Sequence, residues 1–282
     1  MYGGRFSVEH SRLRYRKVML KGYLVYDHEN AEKNTWFIEN FINSAKDYDF
    51  NVELIYTDEI ERKELPDFAV VRAISPKTNE YYQQKKVKVF NNYITNFTAN
   101  DKYRTYQLAK ILKIPTTYTV KAEEELEYPF VLKSVDGHGG SQVFMVTDDE
   151  SYQQAKLQLD GKTCIKQRVC SDVGKDLRVY SLKGKVLAGA LRTSDTDFRS
   201  NFSLGGKATK VKVPNACKKI IKKLYKELKF DFVGVDFIFH NSKPVLNEIE
   251  DPVGCRMLYS FGKIEPIKEY LKHITKSIKK GR

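Results

Sequence analysis

Val235-Asp236-Phe237-Ile238, followed after a short interval by Leu246-Asn247-Glu248-Ile249-Glu250, is the stretch that decides how this chain is read. Alternating apolar and acidic residues predict the two strands of a β-hairpin. Residues i and i+2 of a strand share a face, so Glu248 and Glu250 project together, and strand pairing can bring Asp236 beside them. Three carboxylates among Val, Ile and Phe are costly unless a cation neutralises them. Hard oxygen ligands suit Mg²⁺, which keeps one or two carboxylates and takes further oxygens from nucleotide phosphates. Two readings are open on this motif alone: a metal–phosphate site, or an ordinary hairpin with a wet acidic face.

Working upstream, Phe130-Val131-Leu132-Lys133 reads as a strand and Val143 to Val146 as its return. Gly137, Gly139 and Gly140 lie in the loop between them. Backbone N–H groups of such a loop can cradle phosphate oxygens, and Lys133 adds a point charge. The segment is neither GxxxxGK[ST] nor GxGxxG, and its strands form a hairpin and not a βαβ unit; the alternative is a plain turn. Asp176-x-Arg178 puts both residues on one face of a strand, either as an intrastrand ion pair or beside a ribose or metal. Arg192 and Arg199, the latter in the polar segment Asp195 to Phe202, could clamp a carboxylate or phosphate bidentately, or could make surface ion pairs. His138 is a lone loop histidine. Cys255 has no evident histidine beside it to activate a nucleophile.

The chain has 282 residues, 41% of them hydrophobic, enough for about two compact domains with real cores. No apolar run approaches the ~20 residues of a membrane span. The basic stretch Met1 to Lys21 lacks the continuous apolar segment of a signal peptide. Four cysteines without CxxC spacing and five histidines without HExxH argue against zinc and disulfide scaffolds, so a reducing, cytoplasmic location is expected. The net charge of +13 permits an acidic partner. Lysine is spread through the chain, and only Arg12 to Lys17 and Lys276 to Arg282 look like patches, of the kind that solvated tails carry. No RNP, KH or zinc-knuckle pattern supports a nucleic-acid partner.

The expected organisation starts with a basic arm over 1–20. Strands at 22–26, 52–56, 68–71 and 87–90, with a helix at 36–45, predict an open α/β domain over 21–97. A helix follows over 101–112 with Asn100 as its cap. Strands and helices alternate from there, including an amphipathic helix over 216–228 and a terminal helix after the acidic hairpin. The fold class expected is α/β (α+β).

Taken in order, these pieces resemble the ATP-grasp superfamily, and within it the RimK-like carboxylate–amine ligases. The matching pieces are Asp101-Lys102-Tyr103, Pro129 to Lys133, Asp176-Leu177-Arg178, Asp197-Phe198-Arg199-Ser200-Asn201-Phe202 with Gly205-Gly206, Val233 to Asp236, and Asn247 to Glu250. They span about residues 68–272, and the Phe-Arg-Ser-Asn segment belongs to the RimK-like branch. The resemblance implies an ATP-grasp fold. The N-terminal domain precedes a central lobe over 98–165 and a C-terminal lobe over 166–282. It implies ATP and two Mg²⁺ or Mn²⁺ ions as cofactors.

Position by position, the resemblance implies that Lys102 and Lys133, with Gly139 and Gly140 of the loop, hold nucleotide phosphates. Gln167, Arg168 and Val169 form the adenine hinge, and Asp176 lies near the ribose. Arg192, Arg199, Ser200 and Asn201 grip the γ-phosphate and the acyl phosphate. Asp236, Glu248 and Glu250 hold the metals, and Arg72 faces the cleft; Arg256, in a loop that departs from the family pattern, is a candidate to reach a substrate carboxylate. The implied reaction joins a carboxylate to an amine, with an amino acid or peptide among the substrates; relatives often form dimers or tetramers. Three features depart from the family pattern. Glu250 stands where relatives carry asparagine, Gln167-Arg168 replaces Glu-Tyr, and Asp251 to Arg256 replaces a short Ser-Pro-Gly turn. The first two also motivate a rival reading, a nucleotide-binding protein on a degenerate ATP-grasp frame without ligase activity.

Overall fold

The structure, a computed structural model, describes residues 19–137, 139–200 and 207–280. Most of the expected basic arm, His138, Asn201, Gly205 and Gly206 lie outside the described residues. Three sheets organise the described residues. The first contains β1 (Leu20–Tyr26), then α1 (His28–Lys33), α2 (Thr35–Ala45), β2 (Phe50–Tyr56), β3 (Phe68–Val71), α3 (Pro76–Gln84) and β4 (Lys88–Phe90) around it. Its strands run parallel in the order β2-β1-β3-β4. Parallel strands covered on both faces read as continuous apolar runs, and Phe68-Ala69-Val70-Val71 is buried at every position.

Next come α4 (Tyr93–Ala99) and α5 (Lys102–Ile111). Asp101, and not Asn100, caps α5: its carboxylate accepts from the Arg104 N–H at 2.9 Å. Asp101 sits in extended backbone immediately before the helix, where its carboxylate oxygen reaches the third N–H. The second sheet then forms from β5 (Thr119–Lys121), β6 (Phe130–Ser134), β7 (Val143–Val146) and, after α6 (Asp149–Gln158), β8 (Cys164–Arg168). The order is β5-β8-β6-β7, all antiparallel. The boundary expected at 165/166 cuts through β8. That strand pairs with β5 and β6 from Cys164 to Arg168, so residues 166–168 belong with this sheet.

The third sheet holds β9 (Asp172–Leu182), β10 (Lys185–Thr193), β11 (Lys207–Val211), β12 (Phe232–His240) and β13 (Lys243–Glu250), with α7 (Asn215–Leu228) between β11 and β12. Its order is β11-β10-β9-β12-β13, all antiparallel. Period-two alternation sorts these strands into two faces. Leu177, Val179, Val233, Val235 and Phe237 pack in one core cluster with Ile220, Ile221 and Leu224 of α7. Asp176, Arg178, Arg192 and Asp236 alternate with them. After β13 come α8 (Arg256–Ser260) and α9 (Pro266–Lys279), which pack with α2 and β1 into a core shared with the first sheet.

A buried polar network joins the first sheet to the loop after β13. Asn91 donates to the Phe232 carbonyl at 2.9 Å and to Asp251 Oδ1 at 2.7 Å, and Asn96 donates to Asp251 Oδ2 at 3.1 Å. Arg72 donates to Tyr26 Oη at 2.8 Å and to the Val253 carbonyl at 2.9 Å. Burial pushes the Asp251 carboxyl up to about 6, against the bonds from Asn91 and Asn96. Buried polar groups bonded to one another in this way fix the arrangement of the elements they join.

Candidate active site

The third sheet presents its charged face to the second sheet. The ion pairs there are cross-strand, between residues directly opposite in register: Arg192 with Asp176, and Arg178 with Asp236. Arg192 Nε lies 2.5 Å from Asp176 Oδ1, and its Nη2 lies 2.8 Å from Asp236 Oδ2. Arg178 meets both oxygens of Asp236, at 2.8 and 2.7 Å. The intrastrand Asp176–Arg178 pair considered from sequence is therefore not made; each side chain reaches sideways to the adjacent strand, where the partner is closer. Burial pushes Asp236 up, but Arg178 and Arg192 outweigh it and hold the carboxyl below the usual range.

Glu248 and Glu250 follow on β13. Glu248 lies 3.6 Å from Lys102 Nζ and is partly exposed. Glu250 Oε2 lies 2.5 Å from Arg178 Nη1 but makes no hydrogen bond and is buried. Burial pushes this carboxyl up to about 7, with Arg178 opposing. The register of the hairpin slips between Asp236 and Phe237, which pair with Glu248 and Leu246. Asn247 is the extra residue of this bulge, and bulges re-aim side chains beside sites. Its Oδ1 accepts from Lys133 Nζ at 3.1 Å. Sequence reasoning overlooked Asn247, because a strict alternation points it away from the carboxylates.

Lys133, on β6, is buried and donates also to Gln167 Oε1 at 2.9 Å. Burial pushes its ammonium down to about 8, although Glu248 pulls the other way. Gln167 thus reaches into the site through its side chain. The Arg168 N–H donates to the Tyr118 carbonyl, and Val169 lines the cleft just past the end of β8. Lys102, at the start of α5, donates through Nζ to the Gly137 carbonyl, so α5 abuts the glycine loop. Gly139 and Gly140 have φ of 70° and 82°, the left-handed region that glycine enters without strain. Arg199 Nη1 donates to the Gly140 carbonyl at 2.8 Å, and Ser200 donates to Asp176 Oδ2 at 2.7 Å. Gly174, at φ 67°, lets the segment bearing Arg199 and Ser200 lie close: a Cβ there would meet the Ser194 carbonyl at 2.7 Å.

Two cavities result. The first lies between the second and third sheets and is lined by Lys133, Gln167, Val169, Asp176, Arg199 and Ser200 among others. The second, of about 670 Å³, lies toward the first sheet and is walled by Trp36, Arg72, Arg178, Glu250, Cys255 and Arg256 among others. Its size is that of a small-molecule site. Lys102, Gly139, Arg192 and Glu248 line both cavities, which therefore meet at these four residues. Arg72 is buried, with its guanidinium carbon 4.0 Å from the centre of the Phe37 ring, and Arg256 stands 5.6 Å from that of Trp36. Trp36 was not singled out from sequence; a lone helical tryptophan carries no signal that it faces a cavity.

The fit of a divalent cation can be tested on these residues. The ion-paired network sets four carboxylates (Asp176, Asp236, Glu248, Glu250) against three cations (Lys102, Arg178, Arg192). The one carboxylate in excess is charge that a hard cation would neutralise. The expected three-carboxylate convergence is not reached, however. Among the described residues no three His, Cys, Asp or Glu groups come together as a metal would need, and both oxygens of Asp236 are taken by arginines. Glu248 is the donor that fits as it stands, while Glu250 Oε2 is held by Arg178.

The sequence pattern that defines the RimK-like ATP-grasp domain matches residues 99–274. The chain belongs to the RimK-like ATP-grasp family. An uncharacterized protein of Mycoplasma genitalium is 27% identical to this ATP-grasp chain over 251 residues, 84% of the chain and 86% of the relative. A probable alpha-L-glutamate ligase of a Shewanella species is 27% identical over 218 residues, 71% and 72% of the two. The crystal structure of D-alanine–D-alanine ligase from Bacillus anthracis complexed with ATP superposes with a TM-score of 0.70. The match covers 93% of the ATP-grasp chain and 99% of that one at 14% identity, so the likeness speaks for the fold. The fold class read from sequence is borne out. Among the described residues no helix is long and apolar enough to cross a membrane.

Proposed function

We propose that this chain is an ATP-dependent carboxylate–amine ligase that forms an amide through an acyl phosphate. The observation that carries the proposal is the meeting of two cavities at Lys102, Gly139, Arg192 and Glu248. ATP occupies the first cavity, with its adenine at Val169 and its phosphates toward Lys102, Lys133 and the glycine loop. The acid occupies the second. Its carboxylate oxygen attacks the γ-phosphorus at the junction, ADP leaves, and the amine then displaces phosphate from the acyl carbon, releasing a proton. An amino acid joined to a small-molecule, peptide or protein acceptor fits this reaction.

Positioning and charge neutralisation dominate phosphoryl transfer. Lys102, Lys133 and Arg192 supply fixed positive charge where phosphate oxygens would lie, and Arg199 ties the glycine loop down over them. Closure of that loop keeps water from the acyl phosphate. Glu248 and Glu250, joined by Asp236, would hold Mg²⁺ or Mn²⁺, two ions by the family resemblance. Such ions, when bound, neutralise phosphate charge and polarise the transferring group.

The test is ADP release with Mg²⁺ or Mn²⁺ across amino acids, singly and in pairs. Release that depends on an amino acid is expected. ATP binding without release under any pairing, including peptide acceptors, would favour the non-catalytic reading. A second expectation concerns pH. A phosphate contact needs Lys133 charged, and its pKa lies at about 8. Affinity for a non-hydrolysable ATP analogue should fall roughly tenfold per pH unit above that value, the slope of losing one required proton. Stability runs the other way: the unfolded lysine keeps its proton up to its usual, higher pKa, so the penalty of burying the charge is relieved as pH rises from about 8 toward that value. Calorimetric titrations at pH 7, 8 and 9 check the slope, and Lys133→Met should flatten it.

A further inference from the structure

Arg178 spends all three guanidinium nitrogens on two carboxylates. Nε and Nη2 meet Asp236 at 2.8 and 2.7 Å, and Nη1 lies 2.5 Å from Glu250. The same side chain lines the second cavity, as do Arg72 and Arg256. Asp236 and Glu250 are two of the three carboxylates that the metal reading requires. A divalent cation sits about 2.0–2.1 Å from its oxygen ligands, closer than any guanidinium nitrogen, and it repels a cation held against the same oxygens. Asp236 Oδ2 already accepts from Arg192 as well as Arg178, so it has no room for a third positive partner.

We propose that Arg178 is the resident counter-ion of the Asp236–Glu250 pair, that a divalent cation displaces it, and that the freed guanidinium turns into the second cavity as an anion-binding group for the substrate acid. The inference rests on the ligase reading for its last step only. It makes the acid site conditional on cation loading. A group that is paired inside the sheet cannot grip a carboxylate in the cavity, and one that has been released can. By linkage, acid and cation then strengthen each other's binding by the same factor.

Two measurements test it. Mn²⁺ binding, followed by electron paramagnetic resonance of the free ion with the full chain and AMP-PNP, should tighten at least tenfold in Arg178→Gln and stay near wild type in Arg178→Lys. Hydrogen exchange at Arg178 Nε–H, followed by nuclear magnetic resonance of the wild-type chain and assigned from the signal missing in Arg178→Lys, needs no folded Gln variant. That hydrogen should exchange slowly without cation and at least tenfold faster with Mg²⁺ and AMP-PNP. Weaker or unchanged Mn²⁺ binding in Arg178→Gln, or unchanged exchange on adding Mg²⁺, overturns the displacement. Failure of all three chains to bind Mn²⁺ overturns it too. The ligase reading stands or falls separately, on ADP release.

Discussion

Glu248→Ala is expected to lower amino-acid-dependent ADP release by about a thousandfold or more, the scale of losing a group that neutralises charge in the transition state. Among the described residues its carboxylate is the one acidic group that lines both cavities. The fold should survive the change. Glu248 is partly exposed and its ion pair with Lys102 is long, at 3.6 Å. Its partner Lys102 is buried but keeps its bond to the Gly137 carbonyl, so the ammonium is not left bare. Steady-state ADP release and thermal melting on the same preparation check the two halves together. Turnover within tenfold of the parent chain would remove Glu248 from the site.

Arg192→Met should act in the opposite sense, on the fold first. Arg192 is buried and stands between Asp176 and Asp236. Removing one member of a buried ion network leaves uncompensated charge and costs about 3–5 kcal/mol. For a chain of this size that is a fall in melting temperature on the order of 10 °C. Scanning calorimetry measures it. Arg192→Lys should recover part of the loss, because a point charge replaces the fork that now spans two carboxylates. A melting temperature within two or three degrees of the parent would mean that the carboxylates accommodate themselves without Arg192.

The acidic hairpin, the strand ending in Lys133 and the glycine loop were legible because each is local. Period-two alternation and glycine placement declare themselves within a dozen residues. The partners of Asp176 and Arg178 were not legible. They come from β10 and β12, and no local pattern states which residue of a distant strand lies opposite. Asn247 was hidden by the same cause at shorter range, since one extra residue in β13 shifts which side chains share a face. Glu250 was read as a metal ligand from its spacing to Glu248. That Arg178 would already hold it is a fact of register, set by strands some seventy residues apart in the chain.

The polar network around Asp251 bears on how such chains diversify. The family domain begins at residue 99, yet Asn91, Asn96 and Arg72, all upstream of it, hold the loop that carries Arg256. A fragment starting at 99 would leave the Asp251 carboxylate without those amide donors and the Val253 carbonyl without its guanidinium. Transplanting the upstream unit from a relative would do the same unless residues 251–256 travelled with it. The wall of the second cavity is therefore inherited as a pair of distant segments, and neither can drift without the other.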